Sequence, residues 1–308
     1  MAQTRFINDR GLTARMTLVM FLLGAAFVVL IGALMAIFRG PIAIVIGIAG
    51  LGFAWFQWYR SDTVAMKAMR AGEVSAQEAP ELHAMIDRLC ALADMPKPRV
   101  GIADMDIPNA FATGRSPQRA VVCVTTGILQ RLSAEELEGV LAHELSHVAH
   151  RDVLVMTVAS SAGIVAGALT QGSQYGAYGF FGGGGRRDNN NNGIPVWLLV
   201  LIVSLVVYAV SFVLLRLLSR YRELSADRAG AYLTMKPQAL ASALQKITGE
   251  MAAIPQRDLR STQAMNAFFI APAISGASLR TLSSTHPSLE QRLEQLARIQ
   301  ADLGRPTV

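Results

Sequence analysis

Three histidines fall within the stretch LAHELSHVAH, residues 141–150, of a chain that has only five. Side chains four apart share a helix face, so His143 and His147 can turn ring nitrogens toward one ion. Glu144 sits about 100° round from His143 and can reach a water beside that ion without being a ligand. This is the HExxH pattern, in which the glutamate is the general base for hydrolysis at a zinc site. A catalytic zinc takes three protein ligands, so one is missing. His150 does not supply it. Seven residues of helix rise about 10.5 Å, too far for His143 and His150 both to lie about 2.0–2.1 Å from one ion. The metzincin spacing fails as well, since it needs glycine at 150 and histidine at 153, where this chain has His150 and Val153. His150 is expected just outside the ligand set or at a membrane boundary.

A second candidate stretch is SRYRELSADRAG, residues 219–230, where Glu223 and Asp227 are four apart on a predicted helix. Glu223 would complete a His₂Glu set. Asp227 would accept a hydrogen bond from the far nitrogen of a ligand histidine and fix its tautomer. Spacing leaves a second option open: both acids could simply pair with Arg220, Arg222 and Arg228.

The elements that must position these residues are helical, and several belong to a membrane. Of 308 residues, 52% are hydrophobic and only 16% charged, against about 25% charged in ordinary soluble domains. The deficit is concentrated in uncharged runs. Met16–Phe38, Gly40–Tyr59, a stretch from Val153 to about Leu169, and Ile194–Leu215 are each near the ~20 residues that a spanning helix needs. The third is rich in small residues and is the weakest candidate. The first is too long for the apolar part of a signal peptide and is followed at once by a second, which predicts a tight hairpin anchor. Arg5, Arg10, Arg15, Arg60, Lys67, Arg70, Arg216, Arg220, Arg222 and Arg228 flank one side of a four-span arrangement, which makes that side cytoplasmic. The net charge of +6 is thereby accounted for, and no basic patch interleaved with aromatics suggests nucleic acid.

Between the spans lie residues 61–151 and 217–308. Residues 98–104, 109–114 and 120–127 alternate and carry β-branched side chains, which predicts a small antiparallel sheet. Ser133 and Glu136 form a capping-box pattern that opens the helix bearing His143. The Gly/Asn tract 179–193 reads as a loop, and its GGGG lacks the lysine and setting of a phosphate-binding loop. Residues 250–283 show no clear period and are expected to cover the cleft. Cys90 and Cys123 are isolated, so neither a disulfide nor a cysteine-zinc site is predicted.

Taken together, HELSHVAHRD, RELSADRAG, NAFATG at 109–114 and STHPSLEQR at 284–292 resemble the HtpX-type membrane zinc proteases, relatives of the CAAX prenyl proteases. The resemblance covers nearly the whole chain. It implies a mainly α integral membrane protein with about four transmembrane helices and a gluzincin-like catalytic domain. The order would be a transmembrane hairpin (1–60), half of the protease domain (61–151), a second hairpin (152–216) and the other half (217–308). It further implies one Zn²⁺ per chain held by His143, His147 and Glu223, with Glu144 as base and Asp227 behind a ligand. His286 would help stabilise the transition state, with Arg292 in support. Asn109, Ala110, Phe111, Ala112 and Thr113 would form an edge strand that pairs with substrate backbone. The implied function is hydrolysis of misfolded or damaged membrane proteins by metal-activated water, at the cytoplasmic face of the bacterial inner membrane, with self-cleavage as a corollary. The competing functions are a CAAX-type prenyl-peptide protease and a non-catalytic metal-binding membrane scaffold.

Overall fold

The computed structural model describes residues 6, 9–37, 44–45, 48–49, 52, 55–56, 59–152, 196–253 and 287–304. The chain divides into two compact units: Met1–Ala14, Arg60–Leu154 and Arg216–Val308 form one, and Arg15–Tyr59 with Val155–Leu215 the other.

The second unit takes most of α1 (Arg10–Ile37) and the first part of α6 (Val196–Thr234). Among the described residues these two helices are long and apolar enough to cross a membrane, over Arg10–Ala33 and Leu198–Thr234. Their exposed side chains include Phe21, Val28 and Val29 on α1 and Leu205, Val206 and Val213 on α6. Such apolar exposure is unfavourable in water and satisfied by lipid. The expected second span lies mostly outside the described residues, and the third lies wholly outside them, as does the Gly/Asn tract. At 39 residues, α6 is about 58 Å long, against a hydrocarbon core of about 30 Å. One unbroken helix therefore holds both an apolar span and the stretch bearing Glu223 and Asp227 that follows it.

The first unit is built on a four-stranded sheet. It contains α2 (Ser61–Ala68), β1 (Ala71–Glu73), α3 (Pro80–Ala93), β2 (Arg99–Ala103), β3 (Ala110–Thr113), β4 (Val121–Thr125), α4 (Thr126–Arg131) and α5 (Ala134–His150). The end of α6, α7 (Pro237–Ala253) and α8 (Leu289–Leu303) complete it. The sheet order is β1-β2-β4-β3. The three expected strands are present, but the sheet is mixed, not antiparallel: β2 pairs with β4 in parallel, with Gly101 opposite Cys123. The short link from β2 to β3 steps over one strand position, and the β3–β4 hairpin then places β4 in that gap. β4 therefore runs antiparallel to β3 and parallel to β2. All five β4 residues are buried. Val122 and Val124 join the main core, while Cys123 meets Ala65, Met69 and Phe111 on the other face.

The main core surrounds α5. Leu141 and Leu145 pack in one cluster with Ile86 and Leu89 of α3, Leu240 and Leu244 of α7, and Leu296 of α8. Residues Glu136 to Val148 are all buried, so the helix is enclosed on every side. It starts at the predicted capping box: Ser133 Oγ accepts from Glu136 N–H, and Glu136 Oε2 accepts from Ser133 N–H at 2.8 Å. The Glu136 carboxylate also accepts from Ser242 Oγ at 2.6 Å and Lys246 Nζ at 2.8 Å, which ties α7 to α5. Burial opposes its charge, but Lys246, Ser242 and Ser133 outweigh it and hold the carboxyl at about 2. Both cysteines are buried, and burial pushes the thiols up to about 11 at Cys90 and about 12 at Cys123, as for inert core residues.

Residues ahead of the first span also belong here. Phe6 is buried in the main core, beside the His150 ring. Asp9 accepts from Leu12 N–H at the start of α1 and from Ser225 Oγ of α6, both at 2.8 Å.

Candidate metal centre

Because α5 and the far end of α6 belong to the same unit, residues distant in sequence meet at one point. His143 Nε2 and His147 Nε2 are 3.2 Å apart. Glu223 lies across from them, with Oε2 at 3.5 Å from His143 Nε2 and Oε1 at 3.6 Å from His147 Nε2. Ligand atoms held about 2.0–2.1 Å from a tetrahedral zinc stand about 3.3–3.4 Å from one another. The separations between the two histidine nitrogens, and from each to a Glu223 oxygen, are close to that value. Two imidazole nitrogens facing each other with a carboxylate beside them is an arrangement that a cation satisfies. The residues present fit zinc, in number, donor type and spacing. Glu144 is 4% exposed, and its carboxylate lies within the same group, where ligand atoms of His143, Glu144 and His147 are all within 4.8 Å. Burial pushes the Glu144 carboxyl up from its ordinary range.

Behind each histidine stands an aspartate. His143 Nδ1 is 2.9 Å from Asp227 Oδ1, a close contact somewhat off the ideal hydrogen-bond line. Asp227 in turn accepts two hydrogen bonds from Arg292, Nε to Oδ2 at 2.7 Å and Nη2 to Oδ1 at 2.6 Å. Burial opposes a charged His143, but the Asp227 and Glu223 carboxylates outweigh it and push the imidazole up to about 9. On the other arm, His147 Nδ1 is hydrogen-bonded to Asp152 Oδ2 at 2.8 Å. Arg222 stands between, 3.3 Å from Asp152 Oδ2 and 3.3 Å from Glu223 Oε1.

The two options left open for Glu223 and Asp227 are thus resolved differently. Glu223 faces both histidines and also touches Arg222, while Asp227 is engaged by Arg292. Arg292 sits behind Asp227 in a buried pair. His150 is turned to Phe6, with ring centroids 6.2 Å apart. His286 and most of residues 250–283 lie outside the described residues. Asn109 precedes β3, which ends the strand order among the described residues, and Ala110 to Thr113 pair with β4. A small cleft lined by Thr113, Gly114, Ala120, His147 and Arg151 joins the end of β3 to the last turn of α5.

Sequence reasoning missed three contributors. Asp152 comes five residues after His147, beyond the helix end, and reaches the ring only because Arg151 adopts a left-handed conformation, φ 56°. No spacing rule predicts that at a non-glycine residue. Arg222, which the sequence offers as a membrane-flanking charge and a partner for the acids, touches both Asp152 and Glu223. The third is Gly230, which lets α6 approach the backbone of α5 at the ligand. A Cβ there would stand 3.0 Å from His143 N and 3.3 Å from Ala142 C. Gly230→Ala should therefore separate the helices slightly, costing about 1–3 kcal/mol. Zinc affinity should fall with it, as read by denaturation with and without zinc. Unchanged stability and affinity would mean the contact relaxes freely.

Residues 76–300 match peptidase family M48. The chain is 54% identical to Protease HtpX homolog 1 of Streptomyces coelicolor, over 98% of this chain and 97% of that protein. It is 52% identical to the Protease HtpX homolog of Moorella thermoacetica, over 96% and 97% respectively. Protease HtpX homolog 2 of Methanosarcina acetivorans is 48% identical over 96% and 98%. The crystal structure of S. mikatae Ste24p is similar with a TM-score of 0.46 and 18% identity, covering 92% of this chain; this chain spans 65% of that one.

Proposed function

The chain belongs to peptidase family M48, and from that premise we propose that it is a membrane-bound, zinc-dependent endopeptidase. The observation that carries this reading is the meeting of two histidine Nε2 atoms 3.2 Å apart with the Glu223 carboxylate, whose oxygens lie 3.5 Å from His143 and 3.6 Å from His147. These three residues would hold one zinc ion. Zinc bound there supplies a Lewis acid for the scissile carbonyl and makes water acidic enough to attack at neutral pH.

The remaining work falls to the chain. Glu144 takes the proton of the attacking water and returns it to the leaving amine nitrogen, and its buried setting strengthens it as a base. Asp227 and Arg292 orient His143. His286 steadies the developing oxyanion, as the family resemblance implies. β3, at the sheet edge, receives an extended substrate segment by strand addition, with its Thr113 end beside His147. No covalent intermediate is needed.

The substrates on this reading are misfolded or damaged membrane proteins, met at the cytoplasmic face of a bacterial inner membrane. Support comes from two membrane-length helices, from the arginines flanking them, and from the Streptomyces and Moorella relatives named as HtpX proteases. The test is cleavage of an unfolded membrane protein by the purified full chain. Chelation should abolish it and one equivalent of zinc restore it, with internal cuts identified by mass spectrometry. Cleavage confined to lipidated C-termini would establish the prenyl-peptide reading instead, and cleavage indifferent to zinc would end both.

A further inference from the structure

Asp152 is the last charged residue before the uncharged run that begins at Val153, and it is only 1% exposed. One oxygen, Oδ2, is on the His147 ring at 2.8 Å. The other, Oδ1, is buried with no hydrogen-bond partner among the described residues. Arg222 Nε stands 3.3 Å from Oδ2 without hydrogen-bond alignment. Folding gains little from such an arrangement. A buried carboxylate with one oxygen unsatisfied costs free energy, and a buried ion pair is weak evidence for stability. The chain reaches this position only through the left-handed Arg151, itself unfavourable for a residue with a Cβ. Several locally unfavourable features at one point indicate function.

We propose that Asp152 and Arg222 are a positioning pair for the metal: Asp152 fixes the tautomer and direction of His147, and Arg222 locks Asp152 to Glu223. The proposal rests on the reading that His143, His147 and Glu223 hold zinc. With its proton on Nδ1 and donated to Asp152, His147 presents the Nε2 lone pair to the ion. The guanidinium of Arg222 touches that aspartate and also Glu223 Oε1, 3.3 Å away in each case. Two of the three ligands are thereby held by one side chain. A planar guanidinium can face two carboxylates at once, whereas a lysine ammonium on a flexible stem holds neither direction. His143 has a counterpart in Asp227 and Arg292, but those come from α6 and α8. The His147 arm instead uses Asp152, two residues before this unit's segment ends at Leu154, and Arg222, six residues after the unit resumes at Arg216.

The test uses the full-length protein and zinc itself, with affinity measured by competition against a chromogenic chelator. Asp152→Asn keeps the shape and removes the charge. Zinc affinity is expected to fall about 10–100-fold, and the visible absorption of the cobalt-substituted site to shift. The thermal midpoint of the metal-free protein should change little, because Arg222 keeps Glu223 as a partner while a poorly satisfied buried carboxylate has gone. A purely architectural role predicts the reverse, a lower metal-free midpoint with zinc affinity within twofold of wild type, and that result overturns the proposal. If Asp152→Asn does not fold, Arg222→Lys carries the same reading, with a several-fold loss of affinity expected and no loss overturning it. His147→Ala is the control for the underlying reading. If wild type binds no zinc, or His147→Ala binds it equally well, the metal site itself is wrong and the positioning pair falls with it.

Discussion

Glu144→Gln should lower the rate of peptide hydrolysis by about 10²–10⁴-fold, the usual contribution of a general base, while one zinc per chain remains bound. The two halves of this result matter equally. Glutamine has the shape of glutamate, so the enclosed helix loses no packing, and removing a carboxylate that is 4% exposed costs the fold little. The metal should stay because the proposed ligand set is His143, His147 and Glu223, and Glu144 is not a member of it. What disappears is an acceptor for the proton of the attacking water. Single-turnover cleavage with metal analysis of the same sample reads both quantities. Equal cleavage by variant and wild type would leave a metal-binding scaffold as the better account. Loss of zinc together with activity would make Glu144 a ligand, and the base would have to be sought elsewhere.

Asp227→Ala should destabilise the metal-free protein by about 3–5 kcal/mol, the effect of stripping one member from a buried ion pair. That is a large share of the 5–15 kcal/mol typical of folded domains. Arg292 is 3% exposed and donates two hydrogen bonds to Asp227, at 2.7 and 2.6 Å. Without the carboxylate its guanidinium stays buried and loses both of these hydrogen bonds. His143 loses its backing at the same time, so zinc affinity should fall as well. The double variant Asp227→Leu, Arg292→Met separates these effects. Apolar replacement of both charges should recover much of the stability, since buried pairs contribute little net, but should not recover zinc affinity. Denaturant titration of the metal-free variants gives the first quantity and chelator competition the second. A loss below about 1 kcal/mol for Asp227→Ala would put it in the range of a solvent-exposed pair.

The parts of this molecule legible in its sequence are those written in local spacing. His143, Glu144 and His147 lie within one turn of helix, and the Ser133–Glu136 cap lies within another, so periodicity alone places them. The strands at 99–103, 110–113 and 121–125 were visible from their alternation, but not their order. Whether β4 enters beside β2 or β3 is decided by a crossover and by packing on both faces, and no segment carries that information. The three-residue β1, Ala-Gly-Glu, has no strand signature and exists because Val100–Ala103 offers it an edge. Family resemblance supplied Glu223 where spacing left it balanced against arginine pairing, and spacing was ambivalent because Glu223 faces both histidines and Arg222 alike. Asp152 was hidden by one left-handed residue, and Gly230 by the closeness of two helices that no single stretch of sequence records.

The separation of His147 from Glu223 also has a temporal side. Translation exposes the two histidines first, then Glu223 and Asp227, and only afterwards Arg292, which grips Asp227. While its later part is still within the ribosome, a nascent copy carries an incomplete centre amid much unfolded polypeptide, its own included. The linear order of its codons delays completion of that centre until α8 is made.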